Sequence, residues 1–85
     1  MNIASVHRGV ELMDIYIVEI GSLHEPGSIS GVFDTLEGAQ KQVQKHLDHD
    51  RENCGDLGWK QDEQRWRNEY DQYIVITKRT LNKLV

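Results

Sequence analysis

The segment Asp14–Ile20 limits this chain more than any other, because it is a strand with apolar side chains on both sides. One alternating set contains Ile15 and Ile17, and the other contains Tyr16, Val18 and Ile20. β-branched and aromatic residues favour strands. A short strand with two apolar faces is typical of the interior of a sheet. The segment therefore predicts a central strand covered on both faces.

A loop and a second strand follow. Gly21–Ser28 contains the only proline of the chain, Pro26, and Gly27 comes directly after it. This dipeptide is typical of turns. Ile29–Phe33 predicts the second strand, with Gly31 as the position of a bulge. The two strands should form a hairpin.

The clearest helix signal begins at Asp34. In Asp34-Thr35-Leu36-Glu37, the Asp34 carboxylate can accept hydrogen bonds from the first-turn amides while Glu37 reaches back, as in a capping box. Helical spacing then gives a single apolar stripe, formed by Leu36, Ala39 or Gln40, Val43 and Leu47. The pattern predicts one helix that ends near Asp50, with one buried face.

The stretch Trp59–Asn68 fits two structures. Its aromatic residues continue at helical spacing, as Trp59, Trp66, Tyr70 and Tyr73. The same stretch also suits an exposed strand that enters a hairpin turn over Glu69–Gln72. We favour the hairpin, because Tyr73–Thr77 is a strong strand that needs a neighbour. The predicted fold is α+β, with a small antiparallel sheet of about four strands and one helix packed on it, in the order β-β-α-β-β.

The length of 85 residues permits a single hydrophobic core. Met13 resembles the natural start of a small domain, so the predicted organisation is an N-terminal extension over residues 1–12 and one domain over residues 13–85. The extension could equally be an ordered strand or a tail that docks on the domain.

Charge and composition exclude several classes of partner. The net charge of −4 argues against nucleic-acid binding, which needs clustered Lys and Arg. The single cysteine, Cys54, excludes an internal disulfide and suits a reducing compartment. The sequence has neither an apolar run long enough to cross a membrane nor a signal-peptide pattern. We therefore expect a cytoplasmic protein without membrane contact.

The only group of potential metal ligands is His46, His49 and Cys54, with the spacing His-x-x-His-x-x-x-x-Cys. Two imidazoles three residues apart on a helix could share a zinc ion with a thiolate from the next loop. However, the spacing matches no standard zinc motif, and histidines near a helix C-terminus also interact favourably with the helix dipole. We predict no metal and no cofactor.

No catalytic arrangement stands out. Cys54 has no evident oxyanion site or orienting third group, and Gly55 and Gly58 do not form a phosphate-binding loop. The carboxylates between Asp62 and Asp71 lie among polar residues, where nothing raises a pKa. We therefore expect a protein that is not an enzyme.

One segment is rich in the residue types that dominate protein interfaces. The predicted partner-binding residues are Trp59, Arg65, Trp66, Arg67 and Tyr70. The alternative is that both tryptophans close the small core, where aromatic residues contribute most of the burial. Stacking on single-stranded bases is disfavoured by the acidic neighbours. The expected partner is another protein or a second copy of the chain.

Three segments resemble a loose group of small uncharacterised phage and bacterial α+β proteins. They are Ile15-Tyr16-Ile17-Val18, the junction from Gly31 to Ala39, and Trp66-Arg67-Asn68 followed by Tyr73-Ile74-Val75-Ile76 and Leu81. The resemblance implies a phage or mobile-element accessory protein. Our hypothesis is a non-enzymatic module that inhibits a host or defence complex, for example of the CRISPR type, by surface contact. The alternative is a metal- or small-ligand-binding domain using His46, His49 and Cys54.

Overall fold

The computed structural model describes residues 10–84, which form five strands and one helix. The elements are β1 (Val10–Ser22), β2 (Glu25–Phe33), α1 (Leu36–Cys54), β3 (Lys60–Asp62), β4 (Arg65–Arg67) and β5 (Gln72–Leu84). The α+β class and the single helix on an antiparallel sheet agree with the sequence prediction. The prediction of about four strands was wrong by one, since β3 is an additional short strand.

The sheet is antiparallel throughout, with the strand order β2-β1-β5-β4-β3. β1 and β5 are its longest strands and pair along their entire length, from Val10 opposite Leu84 to Ser22 opposite Gln72. β2 flanks β1 on one side, and the short β4 flanks β5 on the other. The predicted hairpin between β4 and β5 is therefore confirmed over the helical alternative.

The core lies between α1 and one face of the sheet. Its buried apolar residues are Val18, Ala39, Val43, Trp66, Ile74 and Ile76. Strand alternation explains the set, because Val18 lies opposite Ile76 and Trp66 opposite Ile74 in the sheet register. Leu36 and Leu47 extend the apolar stripe of α1 against this cluster. The predicted stripe of the helix is thus confirmed.

The ends of α1 differ from the prediction. The N-cap is Thr35, not Asp34: the Thr35 hydroxyl accepts a hydrogen bond from the Gly38 amide at 3.0 Å. Glu37 is paired with Lys41 at 3.5 Å on the exposed surface. The helix also continues one turn beyond the predicted end and stops at Gly55, whose positive φ of 80° suits a residue without Cβ.

The first hairpin turns earlier than predicted. The connection between β1 and β2 is only Leu23–His24, so Pro26 and Gly27 lie within β2 and not in a loop. A proline is tolerated there because β2 is an edge strand of the sheet, where one side of the backbone needs no partner.

The predicted central position of β1 is confirmed, whereas coverage of both its faces is not seen within residues 10–84. Among residues 10–84, the helix packs on one face of the sheet only, and the side chains of Ile15 and Ile17 lie on the other face, half-buried. β1 also begins at Val10, inside the stretch assigned to an N-terminal extension, whereas residues 1–9 of that extension lie outside the described residues. No helix in the described part of the chain has the length and apolar character to span a membrane.

Candidate interaction surface

The face of the sheet opposite α1, which we call the open face, is not covered by another element within residues 10–84. Every second residue of each strand contributes to it, as pleating requires. Its side chains include Ile15, Ile17 and Glu19 of β1, Ile29 and Val32 of β2, Lys60 and Asp62 of β3, Arg65 and Arg67 of β4, and Tyr73, Val75 and Thr77 of β5. The residues from β1, β2 and β5 are mainly apolar, and most of the charged side chains lie on β3 and β4. The open face therefore has the composition of an interface, with an apolar centre and a polar rim.

Large exposed hydrophobic side chains concentrate on this face. Ile29 is 64% exposed and Val32 is 55% exposed, although both are paired with β1 in the sheet. Single exposed hydrophobics are ordinary. A cluster on one face of a small domain instead indicates a binding surface.

A β-bulge in β2 brings Ile29 and Val32 to the same side. Val18 pairs with Gly31, but the next residue, Glu19, pairs with Ile29, so Ser30 is an extra residue in β2. Residues three apart normally point to opposite faces of a strand, and the insertion reverses that parity. The predicted position of the bulge was Gly31; Gly31 is paired with Val18, and the extra residue is its neighbour Ser30.

Tyr73 closes one end of the open face. Its hydroxyl donates a hydrogen bond to Glu19 Oε2 at 2.8 Å. The ring lies over two glycines, since a Cβ on Gly21 would stand 2.8 Å from the Tyr73 hydroxyl and one on Gly27 would be closer still. The bond to Glu19, with smaller contributions from desolvation and from the Glu19 charge, raises the pKa of Tyr73 above its ordinary value.

The open face continues along a two-stranded extension that we call the arm, formed by residues 10–15 of β1 and 79–84 of β5. These segments pair with each other, whereas the described pairing with β2 begins at Tyr16 and that with β4 ends at Val75. The described chain is accordingly elongated, at 61 × 23 × 19 Å. On the open side the arm carries Met13 and Leu81, which are 39% and 44% exposed.

The structure divides the sequence-predicted partner-binding residues between two locations. Trp66 is buried in the core and Trp59 packs against that core, as the structural alternative had it. Arg65 and Arg67 lie on the open face, because they alternate with Trp66 along β4. Tyr70 is 65% exposed in the turn before β5. These five side chains therefore do not form one continuous surface.

The candidate metal ligands make other contacts. His46 Nε2 lies 2.6 Å from the Ser30 hydroxyl, which also accepts a hydrogen bond from Gln42. His49 Nδ1 lies 3.2 Å from the Asn53 amide nitrogen, and Cys54 is exposed at the end of α1. Within residues 10–84, the structure contains no group of three or more His, Cys, Asp or Glu side chains placed to hold a metal ion.

A cavity of about 320 Å³ lies beside His46 on the helix side of the sheet. Asp50 and Trp59 contribute to its lining together with Ile20 and Ile74. The buried indole nitrogen of Trp59 has no hydrogen-bond partner among the described residues. Of the three candidate metal ligands, only His46 lines this cavity.

Sequence reasoning missed Ile29 and Val32 as surface residues. Both lie in a segment that reads as an ordinary strand, and a bulge is needed to put them on one face. The available signal was the apolar pair Ile15 and Ile17, which implied a second covered face on β1. This pattern predicted that the second face of β1 is buried within the chain, whereas no other element covers that face within residues 10–84.

No protein-family model, curated protein or solved structure matches this chain. The geometry of the open face is therefore the basis for the functional proposal.

Proposed function

We propose that this chain is a non-enzymatic protein-binding module and that the open face is its binding surface. The observation that supports the proposal is the exposed pair Ile29 and Val32 on a regular sheet whose opposite face carries the core. Removing such side chains from water yields about 25 cal/mol for each Å² of apolar surface. A protein partner suits this surface because it is broad and spans all five strands, although a depression of about 630 Å³ lies within it beside Arg65, Arg67 and Tyr73.

The charged residues of the open face support the same role. Arg65 and Arg67 are exposed at its β4 edge, and Arg67 Nη2 lies 3.6 Å from Asp71. Arginine at the margin of an apolar patch is typical of protein interfaces, where its planar guanidinium can pair with carboxylates of a partner. Two of the sequence-predicted binding residues thus belong to the proposed surface, whereas Trp66 lies in the core and Trp59 packs against it.

The resemblance to small phage and bacterial proteins extends the proposal to a biological role. In that role the chain is an accessory protein of a phage or mobile element, and it inhibits a host or defence complex by occupying one of its surfaces. Such inhibition requires only contact over roughly 800 Å² of each partner. It needs no catalytic group.

The proposal is tested by capture experiments with two matched variants. Val32→Lys places a charge on the open face beside Ile17, whereas Leu12→Lys places the same charge on the opposite side of the arm, where Leu12 is 70% exposed. We expect wild type and Leu12→Lys to retain a stoichiometric protein partner, or a second copy of the chain, from host lysate at physiological salt. Val32→Lys should retain neither. Equal retention by all three proteins, or by none, contradicts the proposal.

The second candidate function is metal or small-ligand binding near His46, His49 and Cys54. The cavity beside His46 favours the small-ligand form, because its lining includes the polar side chains of His46 and Asp50. Elemental analysis of the purified protein tests the metal form, and substoichiometric zinc would count against it. A thermal-shift ligand screen, with His46→Ala as the control, tests the small-ligand form.

A further inference from the structure

We infer that the open face is occupied by a second copy of this chain, so that the protein is a two-fold symmetric dimer with its two sheets packed face to face. The inference rests on the proposed function and names the partner of the proposed surface. Each copy would keep α1 on the outside, giving the layer order helix, sheet, sheet, helix. Aligned sheets pack about 10 Å apart at roughly −30°, with alternate side chains of both inner faces interdigitating.

The size of the open face suits a stable dimer. Five strands spaced about 4.8 Å apart form a face about 20 Å wide, and the arm extends it to roughly 40 Å along β1. Because the arm is narrow, the projected area of the open face is on the order of 600 Å². Protruding side chains make the accessible area larger, which brings it close to the roughly 800 Å² per partner of a standard interface. A two-fold dimer buries this surface in both copies at once.

The arm gives the second independent reason. A two-stranded ribbon is marginally stable in water without packing on one side, yet Met13 and Leu81 are directly opposite each other on its open side and partly exposed. An antiparallel two-fold arrangement lays the arm of one copy across the sheet of the other. The apolar pair of the arm then packs on the apolar centre of the partner's open face.

The charges of the open face are mixed at both ends. Glu11 and Arg79 lie on the arm, whereas Asp62 lies opposite Arg65 at the other end. Reversing one copy therefore brings side chains of both signs toward side chains of both signs. The apolar area, and not charge, is what favours the antiparallel arrangement.

Sedimentation velocity of the purified full chain tests the inference, with no lysate present. We expect wild type to sediment with twice the chain mass of 9.9 kDa and to dissociate on dilution. Val32→Lys and Ile29→Lys should be monomeric at concentrations where wild type is dimeric, with circular dichroism spectra unchanged, because both side chains are already more than half exposed. Leu12→Lys, on the opposite side of the arm, should remain dimeric.

Cys54 provides a second readout. It is the single cysteine, is exposed and lies at the end of α1, on the side away from the proposed interface. After a bulky maleimide is attached to Cys54, the protein should still sediment as a dimer, with its mass increased only by the labels. Dissociation on labelling would place the contact on the helix side and overturn the inference.

Three further outcomes would overturn the dimer. One is a wild-type monomer up to about 100 µM, a concentration that would saturate any micromolar self-association. Another is a wild-type monomer that dimerises once residues 1–9 are removed, because those residues would then be what covers the open face. The third is a monomeric wild type that captures a stoichiometric protein partner, with capture lost in Val32→Lys. In that case the proposed binding function stands, but the partner is not a second copy of the chain.

Discussion

Tyr73 shows how single residues shape the open face. Its ring fills the space above Gly21 and Gly27, two positions where a Cβ would collide with the phenol. Its hydroxyl is held by Glu19 on the neighbouring strand. Glycine in a strand lacks a side chain to pack, and an aromatic neighbour that lies over it compensates for the loss. The residue therefore joins β1, β2 and β5 at the end of the sheet farthest from the arm.

The raised pKa of Tyr73 predicts a loss of stability in alkaline solution. The unfolded chain releases the phenolic proton at an ordinary pKa of about 10, whereas the folded chain holds it to a higher pH through the bond to Glu19. Between those two values the folded state binds more protons, so the free energy of unfolding falls as pH rises, and below about pH 10 the contribution is intact. Urea titrations of wild type and Tyr73→Phe at pH 8 to 11 measure it.

The comparison with Tyr73→Phe isolates this phenol from the other two tyrosines of the chain. The variant should be less stable than wild type at pH 8, and the gap should narrow above pH 10. Glu19→Gln serves as control, because it keeps an acceptor for the hydroxyl and removes only the negative charge. A constant gap across the pH range would show that Tyr73 ionises at the same pH in both states.

Thr35 allows a second prediction at the scale of one residue. Its hydroxyl caps the first turn of α1 by accepting from the Gly38 amide, so Thr35→Ala should lower the free energy of unfolding by about 1 kcal/mol. Asp34→Ala is the matched control, since Asp34 is exposed and precedes the cap, and it should change stability by less than about 0.5 kcal/mol. Denaturant midpoints of both variants measure the effect, and the reverse order would restore Asp34 as the cap.

At the scale of the element, β4 is a three-residue strand fixed by one buried side chain. Trp66 is 7% exposed between Ile74 and the helix side of the core, while its neighbours on β4 point to the open face. Trp66→Ala should therefore cost about 3–5 kcal/mol of stability, the range for truncating a buried aromatic. Tyr70→Ala, in the exposed turn, should cost less than about 0.5 kcal/mol.

Chemical denaturation of the two aromatic variants decides between structural and binding roles. Trp66→Phe keeps most of the buried area and should lose less than half as much stability as Trp66→Ala. It provides a measurable variant if Trp66→Ala is too unstable to study. Equal and small losses for Trp66→Ala and Tyr70→Ala would show that both side chains belong to the surface, as the sequence had suggested.

The elements also show how far the sequence predicts this fold. The apolar stripe of α1 and the long strands β1 and β5 were evident, because their patterns extend over many residues. β3 was missed, since Lys60–Asp62 is fully exposed and has no apolar residue that would mark a strand. The last turn of α1 was missed as well, because Asn53 and the glycines after it are poor helix formers, whereas the amide of Gly55 still bonds to Arg51.

The candidate surface was less predictable than the fold, for a physical reason. Which face a strand residue occupies depends on register, and one inserted residue in β2 reverses it. The sequence correctly indicated that β1 has two apolar faces, but it could not indicate whether the second is buried by the same chain. Arg65 and Arg67 were identified by residue type, whereas their separation from Trp66 follows only from the β4 pairing.

At the scale of the whole molecule, a face-to-face dimer makes stability depend on concentration. If two folded copies share the open face, each tenfold increase in protein concentration adds about 1.4 kcal/mol per dimer to the free energy of unfolding. The melting temperature of wild type should therefore rise with concentration over the range in which the dimer forms. The melting temperature of Val32→Lys should stay constant, because its Lys side chain would be buried in an apolar interface without a counter-charge. Leu12→Lys should follow wild type, since it adds the same charge on the side of the arm that faces away from the partner. Calorimetry of the three proteins over two decades of concentration measures the slopes, and a flat wild-type line would mean that the open face contributes nothing to folding through a second copy.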